Sequence, residues 1–376
     1  GIYVGSHTHF SEKQNRAIDR FCATYDAVVI CDHTSGYYGK YKLLPTLVQL
    51  QSDITSPFPP LDLMVHIGEI SAASFNDTIP AKEVWRVSED GELRDPFKKL
   101  TTVFQMSEEM FFLHYGKDGC NRHVLIDECR ELFGEIYEQI PELPFCNIWT
   151  AMQLSSRLPK GALFHMGVSN TRRCWNMFQL PESVESACNV GCCGIDGCVS
   201  TLVGASLVNP DRLCYVVVGD LTFFYDLNSL GNHHIGTNLR VMLVNNGRGT
   251  EFRLGIHHCN VFGDDADKYM AAAGHFGNKS PLLVKHYAED LGFHYLSATT
   301  KEEFMTALSN FTNPQLSDHS MILEVFTDSK DESEALYLMS HIQSDAKGMV
   351  RSKLKDAVRN VAGEKGINAI KKILKK

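Results

Sequence analysis

Two short apolar runs constrain this chain most. Leu213-Cys-Tyr-Val-Val-Val218 runs into Gly219-Asp220, and Val241-Met-Leu-Val244 runs into Asn245-Asn246-Gly247. Runs this short and this apolar read as strands buried on both faces, the habit of a parallel sheet. Each delivers a small oxygen-bearing side chain at its carboxyl end. The 26 positions from Asp220 to Asn246 leave room for a crossover helix between neighbouring strands. In a parallel sheet such ends lie side by side, where open α/β sheets bind phosphorylated ligands. A carboxylate, an amide oxygen and a turn carbonyl suit a hard Mg²⁺ that completes its shell from a diphosphate. The same residues are also ordinary turn chemistry after a strand, so the motif needs support from elsewhere in the chain.

The rest of the sequence repeats the alternation. Ile2–Val4, Ala27–Cys31, Leu63–Ile67, Glu83–Val87 and Thr101–Phe104 read as buried strands, with helices over Ser11–Tyr25 and the Leu43–Gln51 region. A long helical region, about Asn121–Arg157, leads to a second series with strands at Leu163–His165, 213–218, 241–244 and Ser320–Val325. Alternation of this kind predicts an α/β protein of two doubly wound, mainly parallel-sheet domains. Pro141, Pro144 and Pro159 punctuate the join, which places the domains at residues 1–145 and 146–343. Residues 344–376 form a separate tail in which Val350, Leu354, Val358 and Val361 recur at helical spacing above a lysine-rich face. A helix packed on its own domain is expected there, its terminal lysines favourable at the helix end.

Composition excludes several classes. A net charge of −9 argues against a protein that binds nucleic acid by neutralising phosphates. No run approaches the roughly 20 apolar residues that span a bilayer. Twelve cysteines are many, but most sit in apolar strands or helices, and the group at 188, 192, 193 and 198 lacks any Cys-x-x-Cys pair. A reducing, cytoplasmic setting is expected rather than a disulfide framework or a zinc site. The histidines at 233–234 and 257–258 also fit no common zinc spacing.

Support for the two turns comes from upstream. Asn189-Val-Gly-Cys-Cys-Gly-Ile-Asp-Gly-Cys-Val-Ser-Thr-Leu-Val-Gly204 sets glycines at 191, 194 and 197 ahead of a small-residue helix. Together with Gly219-Asp220-Leu221-Thr222 and Asn245-Asn246, this block closely resembles the thiamine-diphosphate-dependent enzymes. Within them it is most similar to the menaquinone-pathway synthases that join 2-oxoglutarate to isochorismate. The likeness extends over nearly the whole chain, 1–145 resembling that family's central domain and 146–340 its diphosphate-binding domain.

The resemblance implies thiamine diphosphate and Mg²⁺ as cofactors and assigns roles by position. Asp220, Asn246 and the backbone carbonyl of Arg248 would hold Mg²⁺ against the diphosphate. Leu221 and Thr222 would offer backbone N–H groups to phosphate oxygens at a helix start, flanked by Gly219 and Gly247, with Ser200 on the neighbouring helix. Ile195 would be the apolar wedge beneath the cofactor, and Gly194 would offer its carbonyl to the aminopyrimidine. Ser169 and Arg173 match the Ser and Arg that face the substrate carboxylate, a task suited to the planar guanidinium fork.

The departures carry weight as well. Val190 stands where the related synthases have a second carboxylate-binding Arg, and Ser74-Phe75 occupy the place of their Lys-Arg pair. Losing those cations weakens recognition of a doubly anionic acceptor. The activating Glu of these enzymes belongs to a pyrimidine-binding domain that this sequence does not contain, and Glu251 offers no sign of replacing it. No catalytic residue is therefore assigned. The chain alone is expected to be inactive, a fragment of a longer enzyme or one subunit of a split, homo-oligomeric one. The segment 247–278 is expected to be a loop with a short helix that closes over the site. The expected function is the cofactor-binding portion of a carboligase that decarboxylates a 2-oxo acid and adds the carbanion to an acceptor. A non-catalytic module of the same fold, or a 2-oxo acid decarboxylase with another substrate, are the alternatives. NAD-linked chemistry fails for want of a Gly-x-Gly-x-x-Gly after a first strand.

Overall fold

The computed structural model describes residues 1–54, 58–69, 79–275, 280–345 and 349–350. Among the described residues twelve strands form two sheets. The first contains β1 (Ile2–Val4), β2 (Val29–Ile30), β3 (Lys42–Leu43), β4 (Leu61–Ile67), β5 (Ala81–Ser88) and β6 (Leu100–Gln105) in the order β3-β2-β1-β4-β5-β6. The second contains β7 (Leu163–Met166), β8 (Glu185–Cys188), β9 (Cys214–Gly219), β10 (Leu239–Asn245), β11 (His294–Ala298) and β12 (Met321–Phe326) in the order β11-β12-β10-β9-β7-β8. Every strand pairing within them is parallel. The α/β architecture of two parallel sheets flanked by helices is thus the one the sequence pattern predicts.

The helices of the first half are α1 (Glu12–Tyr25), α2 (Thr46–Leu50), α3 (Glu108–Tyr115) and α4 (Val124–Glu138). The second half adds α5 (Asn147–Leu154), α6 (Asn170–Trp175), α7 (Cys198–Val208), α8 (Asp220–Tyr225), α9 (Asp265–Tyr269), α10 (Leu283–Asp290), α11 (Lys301–Phe311) and α12 (Ser329–Ser340). Helix α1 begins where the sequence signals it. Ser11 and Gln14 satisfy each other's backbone N–H groups in a capping box, with Ala17, Ile18, Phe21 and Cys22 facing the core. Among the described residues no helix is long and apolar enough to cross a membrane.

Several boundaries differ from the sequence pattern. The helix expected over Leu43–Gln51 starts only at Thr46, because Lys42 and Leu43 pair with Val29 and Ile30 and Pro45 occupies the cap. The helical region expected over Asn121–Arg157 is broken between Glu138 and Asn147, around Pro141 and Pro144. Strands β8 and β11 escape the sequence pattern. They lie at the edges of their sheet with alternating or partial exposure, so they lack the continuous apolar character of the central strands. The described part of segment 247–278, residues 247–275, holds two 3₁₀ turns, Thr250–Arg253 and His258–Phe262, and α9. Residues 351–376, which carry most of the expected C-terminal helix, and Ser74-Phe75 lie outside the described residues.

The order of the second sheet places the functional turns. The chain goes from β7 outward to β8, then returns to the other side of β7 as β9 and β10. A crevice opens at such a reversal, at the carboxyl ends of the strands. Gly167 N–H donates to the Val217 carbonyl at 2.7 Å, and Val244 is in register with Gly219. Three strand exits, Ser169 after β7, Asp220 after β9 and Asn246 after β10, are therefore side by side. Strands β9 and β10 are buried over almost their whole length, which gives the turns a rigid base.

Candidate functional site

Asp220 is 2% exposed. Its Oδ1 accepts the N–H of Leu221 at 2.9 Å, and its Oδ2 lies 3.2 Å from His275 Nε2. The two asparagines at the end of β10 have different environments. Asn245 Nδ2 donates to Glu324 Oε1 at 2.7 Å, and Tyr295 donates to the other oxygen of that carboxylate at 2.7 Å. Burial raises the Glu324 pKa above its ordinary value, and these two hydrogen bonds act against that rise. Asn245 is therefore committed to the core. The side-chain oxygens of both asparagines, Asn245 Oδ1 and Asn246 Oδ1, are buried with no hydrogen-bond partner among the described residues.

An orphaned amide oxygen beside a buried carboxylate is the donor set a hard cation requires, so the residues present fit a Mg²⁺-anchored diphosphate. No group of three or more His, Cys, Asp or Glu able to hold a metal occurs among the described residues. A cation here would depend on the mixed set of carboxylate, amide and carbonyl. Gly247 supplies the left-handed turn at φ 79°. The Arg248 carbonyl accepts Thr250 N–H at 2.9 Å, which leaves its second lone pair, while the Arg248 side chain pairs with Asp267 at 2.9 Å. The Leu221 N–H is taken by the Asp220 carboxylate rather than left open.

The glycine block meets the same place from the side. Gly197, at φ 77°, turns the chain into α7. Ser200 N–H donates to Asp226 Oδ2 at 2.6 Å, and the Ser200 hydroxyl donates to the Gly197 carbonyl at 3.3 Å. Asp226, which ends α8, thus caps α7, with a carboxylate at the favourable end of the helix dipole. This bond explains why the two blocks belong together. Gly194 and Ile195 are half-buried on the loop ahead of α7.

Ser169 follows β7 and precedes α6 with φ 60° and ψ −122°, a conformation that costs a non-glycine residue about 1–3 kcal/mol. One turn on, Arg173 holds Glu251 bidentately, Nη1 to Oε2 at 2.9 Å and Nη2 to Oε1 at 2.6 Å. Burial opposes the charged form of Arg173, but the hydrogen bonds and charge of Glu251 outweigh it and raise its pKa. Helix α6 is also fastened to the first sheet. Asn176 accepts His33 N–H at 3.0 Å and donates to Asp32 Oδ2 at 3.3 Å. Between these elements lies a cavity of about 190 Å³ lined by Ser169, Arg173, Val190 and Glu251 from the second half and by Asp32 and Glu69 from the first. The sheets meet there with their carboxyl ends facing one space.

Ser169 and Arg173 share this cavity, and Asp220 and Asn246 flank the neighbouring strand exits. His275, Asp226 and Asp32 received no role from the sequence. His275 is 55 residues beyond Asp220 and carries no spacing signal. Asp226 stands at the end of α8, the helix that Asp220 opens.

No protein-family profile matches the chain. Curated relatives do. The 2-succinyl-5-enolpyruvyl-6-hydroxy-3-cyclohexene-1-carboxylate synthase of Bacteroides fragilis is 33% identical over 263 residues, covering 68% of this chain and 45% of that protein. The protein of the same name from Phocaeicola vulgatus is 32% identical over 265 residues, covering 68% and 44%. That from Christiangramia forsetii is 33% identical over 199 residues, covering 53% and 33%. The chain spans less than half the length of these relatives. By this likeness, and by the motifs that carry it, the chain is a partial match to the thiamine-diphosphate-dependent synthases of the 2-succinyl-5-enolpyruvyl-6-hydroxy-3-cyclohexene-1-carboxylate synthase family.

Proposed function

We propose that this chain is the cofactor-anchoring part of a thiamine-diphosphate-dependent carboligase acting on a 2-oxo acid. The observation that carries the reading is the buried Asp220 carboxylate at one strand end beside Asn246 at the next, whose buried Oδ1 has no hydrogen-bond partner among the described residues. In this proposal Asp220, Asn246 and the Arg248 carbonyl hold Mg²⁺. Gly194, Ile195, Ser200, Gly219, Leu221, Thr222 and Gly247 form the surrounding cradle. Bound there, thiamine diphosphate supplies the carbanion-stabilising chemistry. The protein's own part is to orient and exclude. His275 fixes one carboxylate oxygen of Asp220, and Asp226 pins the glycine block to the strand exit. The cavity beside Ser169 and Arg173 receives the substrate, with Arg173 as its cation.

The domain division at residues 145 and 343, a cytoplasmic homo-oligomer and a pyrimidine-binding domain as partner belong to the same proposal. The 2-oxo acid would be 2-oxoglutarate if the relatives' reaction carries over. Val190, which lines the cavity where those enzymes are expected to offer a second cation, favours an acceptor with less negative charge.

Calorimetric titration with thiamine diphosphate and Mg²⁺ tests the reading. Binding that needs the cation and is lost in Asp220→Ala is expected. Equal affinity with and without Mg²⁺, or in Asp220→Ala, would overturn it.

A further inference from the structure

Glu251 lines the cavity, and the proposed function leaves it unused. It sits five residues beyond Asn246, in the 3₁₀ turn Thr250–Arg253 that continues the proposed metal-binding turn. Its carboxylate satisfies both arms of the Arg173 fork, and the two side chains are only 18% and 12% exposed. Bidentate, charge-assisted pairing of this kind is what an arginine offers an incoming carboxylate. One guanidinium edge takes one carboxylate in this manner, so the partner already present and a ligand cannot share it. The neighbouring cation brings no ready substitute, since Arg172 lies 3.9 Å from the Asp32 carboxylate. Val190 lines the same wall without charge.

We infer that Glu251 is an internal competitor for the carboxylate site, holding Arg173 until an incoming carboxylate displaces it. The inference rests on the reading that Arg173 faces the substrate carboxylate, and it adds what governs access to that residue. Glu251 acts here through Arg173 as a positioning residue. It lowers the apparent affinity for any carboxylate and leaves affinity for neutral analogues unaffected, so it acts as a filter against weakly bound acids. Because Glu251 shares a turn with Asn246 and Arg248, the filter and the cation-binding turn belong to one short segment.

The test is an NMR or calorimetric titration of the chain with pyruvate, the probe carboxylate, and with methyl pyruvate, which lacks the charge. In Glu251→Gln, pyruvate is expected to bind at least about tenfold more tightly than in the wild type, the equivalent of one lost competing pair. Methyl pyruvate should bind equally to both. The gain should vanish when Arg173→Gln is added. Glu251→Asp, too short to span the fork in the same way, should show a smaller gain in the same direction and serves if Glu251→Gln does not fold. Unchanged or weaker pyruvate binding in these variants, or an equal gain for methyl pyruvate, would overturn the inference and make the pair structural. A parallel thiamine-diphosphate titration separates the two readings. If cofactor binding survives but the pyruvate gain is absent, only this inference fails. If cofactor binding is absent in the wild type, the proposed function fails whatever pyruvate does.

Discussion

Glu332 offers the sharpest physical test of the fold around the site. It lies on α12 and is 1% exposed. Its Oε1 accepts Asn147 N–H, at the start of α5, and the Thr327 hydroxyl, each at 2.9 Å. Oε2 is buried without a hydrogen-bond partner among the described residues. Burial pushes the carboxyl up from 4.5 to about 7, against the pull of the hydrogen bonds it accepts. The folded state therefore holds this proton more tightly than the unfolded chain does. Its contribution is fully present below pH 4.5 and is lost as pH rises through 7. At 1.36 kcal/mol per unit, a rise of this size corresponds to about 3 kcal/mol.

Glu332→Gln retains an oxygen acceptor in nearly the same shape and cannot ionise, so it should escape that loss. Urea denaturation of both proteins at pH 5, 6, 7 and 8 measures the difference directly, since other titrating groups are common to the two and cancel. The variant should be within about 1 kcal/mol of the wild type at pH 5 and more stable by about 2–3 kcal/mol at pH 8. A difference that stays constant from pH 5 to 8 would refute the argument, because it would show that the carboxyl ionises alike in the folded and unfolded states.

Other expectations follow from the same reasoning. Asn245→Ala should destabilise the fold by about 1–3 kcal/mol, measured by denaturation, because it strips a hydrogen bond from the buried Glu324 carboxylate. Asn246→Ala should leave stability nearly unchanged and lower Mg²⁺-dependent cofactor affinity in calorimetry. Ser169→Gly should raise the thermal midpoint by relieving the positive φ, while Ser169→Ala should not, since alanine pays the same backbone cost. Asp226→Ala should cost about 1 kcal/mol of stability through loss of the α7 cap.

Much of the architecture was legible because the central strands are unambiguous. The runs at 213–218 and 241–244 are apolar throughout, short and bounded by turn residues, the habit of a strand covered on both faces. The edge strands Glu185–Cys188 and His294–Ala298 carry no such signature, and nothing local separates them from loop. The start of α1 at Ser11 was legible for the opposite reason, since the chemistry that caps it is complete within four residues. The pairing of Arg173 with Glu251 was not, because 78 positions separate them. The contact of His275 with Asp220 was hidden for the same cause.

The sequence by itself determined the parallel α/β class, the paired strand exits at Asp220 and Asn246, and the family to which the glycine block points. All of these are written in contiguous residues, where periodicity and turn chemistry act locally. Tertiary structure decided what each group faces. Register set Gly219 against Val244, Glu324 claimed the Asn245 amide nitrogen, and the meeting of two sheets gave Arg173 a carboxylate before any substrate arrives. Charge pairing and burial depend on distance in space, and only the folded chain sets that distance.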